Sequence, residues 1–217
     1  MDKPKASSKN MVYDSVVKDI ISGRYEPNTI ITEKMLLQKF DVSRAPIREA
    51  LIELCKDNYL RSIPRTGYML ISYSLKEMVD ILDFRVDLET CNLKRAFPLV
   101  TEEKMRALGE EFMSGYLHPI GEGTMEEHWM ANQQFHLDLC SLSGNQYAWN
   151  MLKNLLLRNS GYYQYYYKFA WDKGTNPDGP SHQRILRALS ERNIEKATEI
   201  LASDINDVKN MLIQVLR

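Results

Sequence analysis

Val42-Ser43-Arg44-Ala45-Pro46-Ile47-Arg48-Glu49-Ala50-Leu51, followed by Leu54 and Cys55, is the stretch on which the fold turns. Ile47, Leu51, Leu54 and Cys55 recur at helical spacing and form one apolar stripe. Ser43 stands where a helix begins, as its cap. Pro46 falls in the first turn, where a missing amide proton costs nothing. Arg44 and Arg48 are four apart, so their Cβ atoms lie about 5–6 Å from each other, on the face opposite the stripe. A helix anchored on one side and carrying two guanidinium groups near its start is chemically suited to duplex DNA. Arginine can pair with guanine in bidentate fashion, worth roughly 1–3 kcal/mol of discrimination. Ser43 and the free amides of the first turn can hold a phosphate.

Working outward, the flanks supply the rest of a domain. Val12, Val16, Ile20 and Ile21 mark one face of a helix from Met11 to Ser22, stopped by Gly23. Arg24–Ile31, with Pro27, reads as a loop. Thr32 caps a short helix, Glu33–Phe40, that stops at Asp41-Val42. Beyond the quoted stretch, Tyr59–Ile63 and Tyr68–Ser72 flank Pro64-Arg65-Thr66-Gly67, a hairpin signature in which Gly67 can supply a positive φ. Helix, short helix, tight turn, helix and hairpin is the order of a winged helix-turn-helix. In that motif the second helix of the pair enters the major groove, and its first residues, here Arg44, Ala45, Pro46 and Arg48, reach base edges. Arg65, at the hairpin tip, can reach a neighbouring groove or the backbone. Two arginines alone would be an ordinary solvated face; the turn, the capped helix and the basic tip reverse that.

Everything after Ser72 reads as helix. Ser74-Leu75-Lys76-Glu77 is a capping box opening a helix to Phe97, stopped by Pro98. Thr101 starts a helix to Leu117, and Thr124-Met125-Glu126-Glu127 is a second capping box, for a helix to Ser143. Asn145 starts a helix to Trp171. A loop at Gly174–Pro180 precedes helices from Ser181 to Glu191 and from Asn193 to the end. The expected fold is therefore mainly α: an N-terminal winged helix-turn-helix of three helices plus a β-hairpin wing, then an all-α helical bundle. The expected boundaries are a disordered tail at 1–10, the DNA-binding domain at 11–72 and the bundle at 73–217.

Bulk properties agree with a two-domain, soluble, cytoplasmic chain. It has 217 residues, 44% hydrophobic and 26% charged, enough to bury a core without disulfide staples. Cys55, Cys91 and Cys140 show no pairing or metal spacing, as expected of reduced thiols in a cytosol. No apolar run suits a signal peptide or a membrane span, so no membrane partner is expected. The net charge of −1 hides a basic front: residues 1–72 carry 12 Lys and Arg against 9 Asp and Glu, which suits an anionic partner.

Ile21-Ser22-Gly23-Arg24-Tyr25-Glu26-Pro27, Val42–Leu51, Leu54 and Thr66-Gly67-Tyr68 together resemble the GntR family of bacterial regulators, and the helical half resembles that family's FadR-type (FCD) effector domain. The resemblance covers nearly the whole chain. It implies a homodimer, joined through the helical domain, that binds a short inverted-repeat operator in double-stranded DNA and is controlled by a small organic acid. It puts operator contacts on Lys34, Arg44 and Arg48, with Arg65, Thr66 and Gly67 from the wing. Lys34 departs from the usual arginine and lacks its planar fork. Asn28 and Asp41 stand where glycine is usual.

Candidate effector residues lie in the second half. His128, Asn132 and His136 are four apart on one helix, His182 begins a later helix, and Asp204 sits in the last. Inward donors from several helices are how bundles build metal sites. Two imidazoles, a carboxylate and an amide suit zinc, nickel or manganese. Metal-binding members of the family use an acidic residue and a histidine four apart, then two later histidines. By that resemblance one divalent metal ion would sit on Asn132, His136, His182 and Asp204; plain hydrogen bonding to the effector by the same groups stays open. His128 is expected in solvent. Arg85 and Glu89, one turn apart, suit an ion pair; by resemblance, Arg85 grips the effector's carboxylate. In the run 162–171, Tyr162 and Tyr166 are candidates for the pocket wall, although core and dimer packing account for most of that run. Two other readings remain: a small metal-dependent hydrolase using His136, His182 and Asp204, and a DNA-binding regulator whose pocket no longer binds anything.

Overall fold

The computed structural model describes residues 7–22, 24–26, 28–71, 74–115, 125–159 and 179–215. It divides into two compact units, one ending at Tyr73 and the other beginning at Ser74.

In the first unit, helix α1 (Ser8–Ile21) packs on α3 (Arg44–Lys56), and α2 (Glu33–Lys39) packs on α3 as well. Val12, Val16 and Ile20 from α1 meet Ile47, Leu51 and Leu54 from α3, all buried. Burying each such side chain is worth about 1.5–3 kcal/mol. α1 starts inside the segment expected to be a disordered tail, because the Ser7 hydroxyl accepts the Asn10 amide at 3.2 Å and caps it. Residues 1–6 of that tail lie outside the described residues. A three-stranded antiparallel sheet, in the order β1 (Ile30–Ile31), β3 (Gly67–Leu70), β2 (Leu60–Ile63), covers the other side. The β2–β3 pair is the expected wing hairpin, with Ile63 opposite Gly67. β1 was legible only as loop, since two residues are too few to show an alternation. Asn28, just before it, takes a left-handed φ of 64°, the conformation that asparagine tolerates best after glycine; Asp41 does not.

A buried carboxylate fastens this unit. Asp19 of α1 is 3% exposed and pairs with Arg24 and with Lys39 of α2, while the Tyr25 hydroxyl donates to it at 3.4 Å. A buried charge is tolerated only when paired in this way.

The second unit is a bundle of α4 (Leu75–Ala96), α5 (Glu102–Gly115), α6 (Met125–Ser141), α7 (Gln146–Asn159), α8 (Gly179–Ser190) and α9 (Ile194–Val215) among the described residues. The capping box at Ser74 and Glu77 forms in both directions. α4 gives way at Phe97 to a single 3-10 turn, Phe97–Leu99, that accommodates Pro98. α4 packs on α6, α7 and α9, and α8 packs on α5 and α9. α6 touches α4, α5 and α7 and is buried on more than one face. His128, expected in solvent, is therefore buried together with Trp129 and Ala131. The tyrosine-rich run with Tyr162 and Tyr166, and the second capping box at Thr124, lie outside the described residues.

Candidate DNA-reading face and buried effector site

α3 presents its first turn to solvent. Ser43, Arg44, Ala45 and Arg48 are exposed and Pro46 is half-buried, while Ile47, Ala50, Leu51 and Leu54 face inward. Ser43 occupies the N-cap position yet its side chain makes no capping hydrogen bond. The reason is in the sequence. The hydroxyls of Ser7, Thr32 and Ser74 each accept the amide three residues on; three residues after Ser43 stands Pro46, which has no amide proton. The Ser43 hydroxyl is left for another partner. Lys34, in the first turn of α2, is exposed. Arg48 does not stand alone: its Nε donates to Glu33 Oε1 at 2.7 Å. Sequence reading passed over Glu33, because a contact between two helices leaves no periodic signal.

The wing tip carries strain. Thr66 donates its amide to Ile63 at 3.1 Å, and between them Arg65 is left-handed, with φ 62°. Gly67 has φ 141°, and a Cβ there would lie 2.8 Å from the carbonyl oxygen of Ile31. Glycine is what lets β3 approach β1. Arg65 and Thr66 are exposed, whereas Gly67 is half-buried at the start of β3.

Four helices of the second unit bring charged groups together away from water. On α4, Arg85 Nε donates to Glu89 Oε1 at 2.8 Å. The other oxygen of Glu89 lies 2.6 Å from Nδ1 of His136 on α6. Nε2 of His136 lies 3.4 Å from Asp204 Oδ2 on α9, and Nε2 of His182 on α8 lies 3.7 Å from the same oxygen. The ring of Phe135 stacks on His182 with centroids 3.9 Å apart, fixing that imidazole. All five charged or imidazole groups are buried. Asn132 is buried one turn before His136.

The electrostatics follow from this packing. Burial opposes ionisation of Glu89, but Arg85 and His136 beside it hold its carboxyl below the ordinary value. Burial likewise disfavours a charged His136; Glu89 and Asp204 overcome it and push the imidazole up to about 9. His182 is lowered, by burial first. Asp204, buried but facing both histidines, is held well below the usual carboxylate range.

The three donors His136, His182 and Asp204 lie within 4.8 Å of one another. Zinc bonds of about 2.0–2.1 Å put tetrahedral ligand atoms about 3.3 Å apart. The two separations to Asp204 are within a few tenths of an ångström of that, and the donor set of two imidazoles and a carboxylate suits a divalent ion. Glu89 bonded to Nδ1 of His136 adds the usual outer carboxylate of a histidine ligand. One atom stands out: Nη2 of Arg85 is buried with no hydrogen-bond partner among the described residues.

An exposed basic reading helix beside a wing, carried on a chain with a separate helical unit, defines a DNA-binding regulator. The family model described as bacterial regulatory proteins, gntR family, matches residues 8–70, and the FCD domain model matches residues 80–207. The chain belongs to the GntR family, in its FCD-bearing branch, and is a DNA-binding transcriptional regulator. It is 28% identical over 195 residues to the HTH-type transcriptional regulator YdhC of Bacillus subtilis strain 168, covering 89% of this chain and 86% of that one. It is 23% identical over 199 residues to the HTH-type transcriptional repressor GlaR of Escherichia coli K12, covering 87% and 88%. The structure of McbR/YncC from E. coli aligns over 98% of this chain and all of that one, with a TM-score of 0.77 at 20% identity, a likeness of fold. No described helix is long and apolar enough to cross a membrane.

Proposed function

We propose that this regulator is a homodimeric repressor, released from or fixed on an inverted-repeat operator by a small organic acid held in the helical unit. Arg44, Arg48, Lys34 and the first-turn residues Ser43, Ala45 and Pro46 contact the operator, with Arg65, Thr66 and Gly67 forming the wing contact. The repressor GlaR among its relatives supports the direction of control. Phe84, Met130, Met151 and Tyr147 expose apolar side chains on the bundle that a dimer interface in that unit would cover.

The observation that carries effector control is the buried, unsatisfied Nη2 of Arg85. Leaving such a group unpaired costs about 1–3 kcal/mol or more when it is charged, and a carboxylate supplies the missing acceptor. Glu89 aims the guanidinium and holds His136. His136, His182 and Asp204, with Asn132 adjacent, would hold a divalent zinc, nickel or manganese ion, which when bound supplies a Lewis-acidic contact for the effector's oxygen atoms. The residues' own work is to orient the acid and keep water from it.

The test is a thermal-shift screen of hydroxy, keto and sugar acids against the purified protein, with and without added zinc, followed by gel shifts. Stabilisation by one acid class, lost in Arg85→Ala and accompanied by a change in operator affinity, is the expected result. Stabilisation by none, with operator binding intact, leaves a regulator with an idle pocket.

A further inference from the structure

An arginine reads a base only when its planar fork is aimed. On a bare helix surface its side chain samples many rotamers, and fixing them costs side-chain entropy. Arg48 is held at one of its nitrogens. Its Nε donates to Glu33 Oε1 at 2.7 Å across the gap between α3 and α2, with Arg48 still 58% exposed and Glu33 27% exposed. Glu33 is the first residue of α2, directly after the cap Thr32, whose hydroxyl accepts the Met35 amide at 3.2 Å. The carboxylate is therefore carried on a rigid helix start. Binding Nε sets the plane of the guanidinium and leaves both Nη groups without a protein partner among the described residues. Two parallel Nη donors are what O6 and N7 of guanine accept in the major groove.

The wing strand runs close enough to feel the pair's charges. Tyr68 of β3 pairs with Ile31, and the charges of Glu33 and Arg48 both act on its phenol. Fold stability does not explain the arrangement, because an exposed ion pair adds little to stability. A carboxylate beside the reading helix also repels the phosphate backbone, which weakens binding to every sequence alike. Its return is in selectivity.

We infer that Glu33 is a specificity-determining positioning residue, which locks Arg48 end-on so that its two Nη groups grip one guanine in each half-site. This rests on the reading of α3 as the groove-entering helix. The experiment selects binding sites from a random duplex library with the full-length protein and its Glu33→Ala, Glu33→Gln and Arg48→Ala variants. The parent is expected to require guanine at one position per half-site, and Arg48→Ala to erase that requirement. Glu33→Ala should weaken it about tenfold at the same position, while affinity for unselected DNA stays level or rises. Glu33→Gln, whose amide oxygen still accepts from Nε, should retain most of the preference. Undiminished guanine preference in Glu33→Ala overturns the inference but not the DNA reading. So does an altered preference at a position that Arg48→Ala leaves alone, because Glu33 would then read a base itself. A uniform loss at all positions with a lowered Tm reduces Glu33 to a structural role. If the parent protein selects no sequence, both readings fall together.

Discussion

Arg65 and Glu89 show how single side chains here exchange stability for chemistry. At φ 62°, Arg65 bears a left-handed strain of about 1–2 kcal/mol. Glycine would remove it, at about 0.5–1 kcal/mol of extra chain entropy. Arg65→Gly should therefore stabilise the first unit slightly, by about 0.5–1 kcal/mol in a urea melt, using the strain and entropy terms above. The same variant should bind operator more weakly, with the slope of log K against log salt shallower by about 0.9, one phosphate contact. If stability and binding fall together, the strain argument fails. Glu89 is the opposite case, a buried anion between Arg85 and His136. Removing one partner of a buried pair leaves an uncompensated charge, so Glu89→Ala should destabilise by about 3–5 kcal/mol. The double variant Arg85→Leu/Glu89→Met, judged in the same denaturation series, should recover only part of that loss, because His136 still lacks its Nδ1 partner; no recovery would mean that the stranded Arg85 charge is not what the single variant suffers from.

At the scale of elements, two serines in the same sequence position of their helices behave differently, and the difference is chemical. The Ser74 hydroxyl accepts the Glu77 amide at 3.3 Å, and the Ser74 amide donates to Glu77 Oε2 at 2.8 Å; Ser74→Ala should weaken α4 by about 1 kcal/mol. Ser43 has Pro46 where that amide would be, so Ser43→Ala should leave the melting curve of the first unit in place while lowering affinity for DNA. Equal stability losses for the two would refute the account. Both helix starts were legible from sequence, as were the buried stripe of α3, the capping box and the hairpin, because each is written in local spacing. What spacing cannot carry went unseen. β1 is too short for a period. The helical start at Ser8 sits in a polar stretch with no apolar stripe. His128 was placed in solvent because one helix's periodicity says nothing of a helix enclosed on several sides. Within the buried site, Arg85, Glu89, His136, His182 and Asp204 were each named from sequence, but not that Glu89 joins Arg85 to His136. Glu33 and Asp19 were missed altogether, since their partners lie on other elements.

For the whole molecule, the proposed effector control would couple the buried site of one compact unit to the reading face of the other. Any such control is a coupling free energy and must be reciprocal. If the organic acid weakens operator binding tenfold, about 1.4 kcal/mol, then operator must weaken acid binding by the same factor. Calorimetric titration of the acid into free protein and into operator-bound protein measures one side; gel shifts with and without saturating acid measure the other. Matching factors are expected. A zinc ion bound at His136, His182 and Asp204 enters the same cycle: at one hundred times its dissociation constant it should stabilise the folded bundle by about 2.7 kcal/mol, and chelation should remove that increment. Because the ligands all belong to the second unit, the metal-dependent rise should fall on that unit's unfolding transition and leave the first unit's where it is. Arg85→Ala should abolish the acid's coupling yet keep the zinc shift, since its guanidinium is not a ligand, whereas His182→Ala should lose the zinc shift. A variant of Arg85 that loses both together would mean that acid and metal do not bind through separable groups, and the division of labour drawn from the geometry would have to be abandoned.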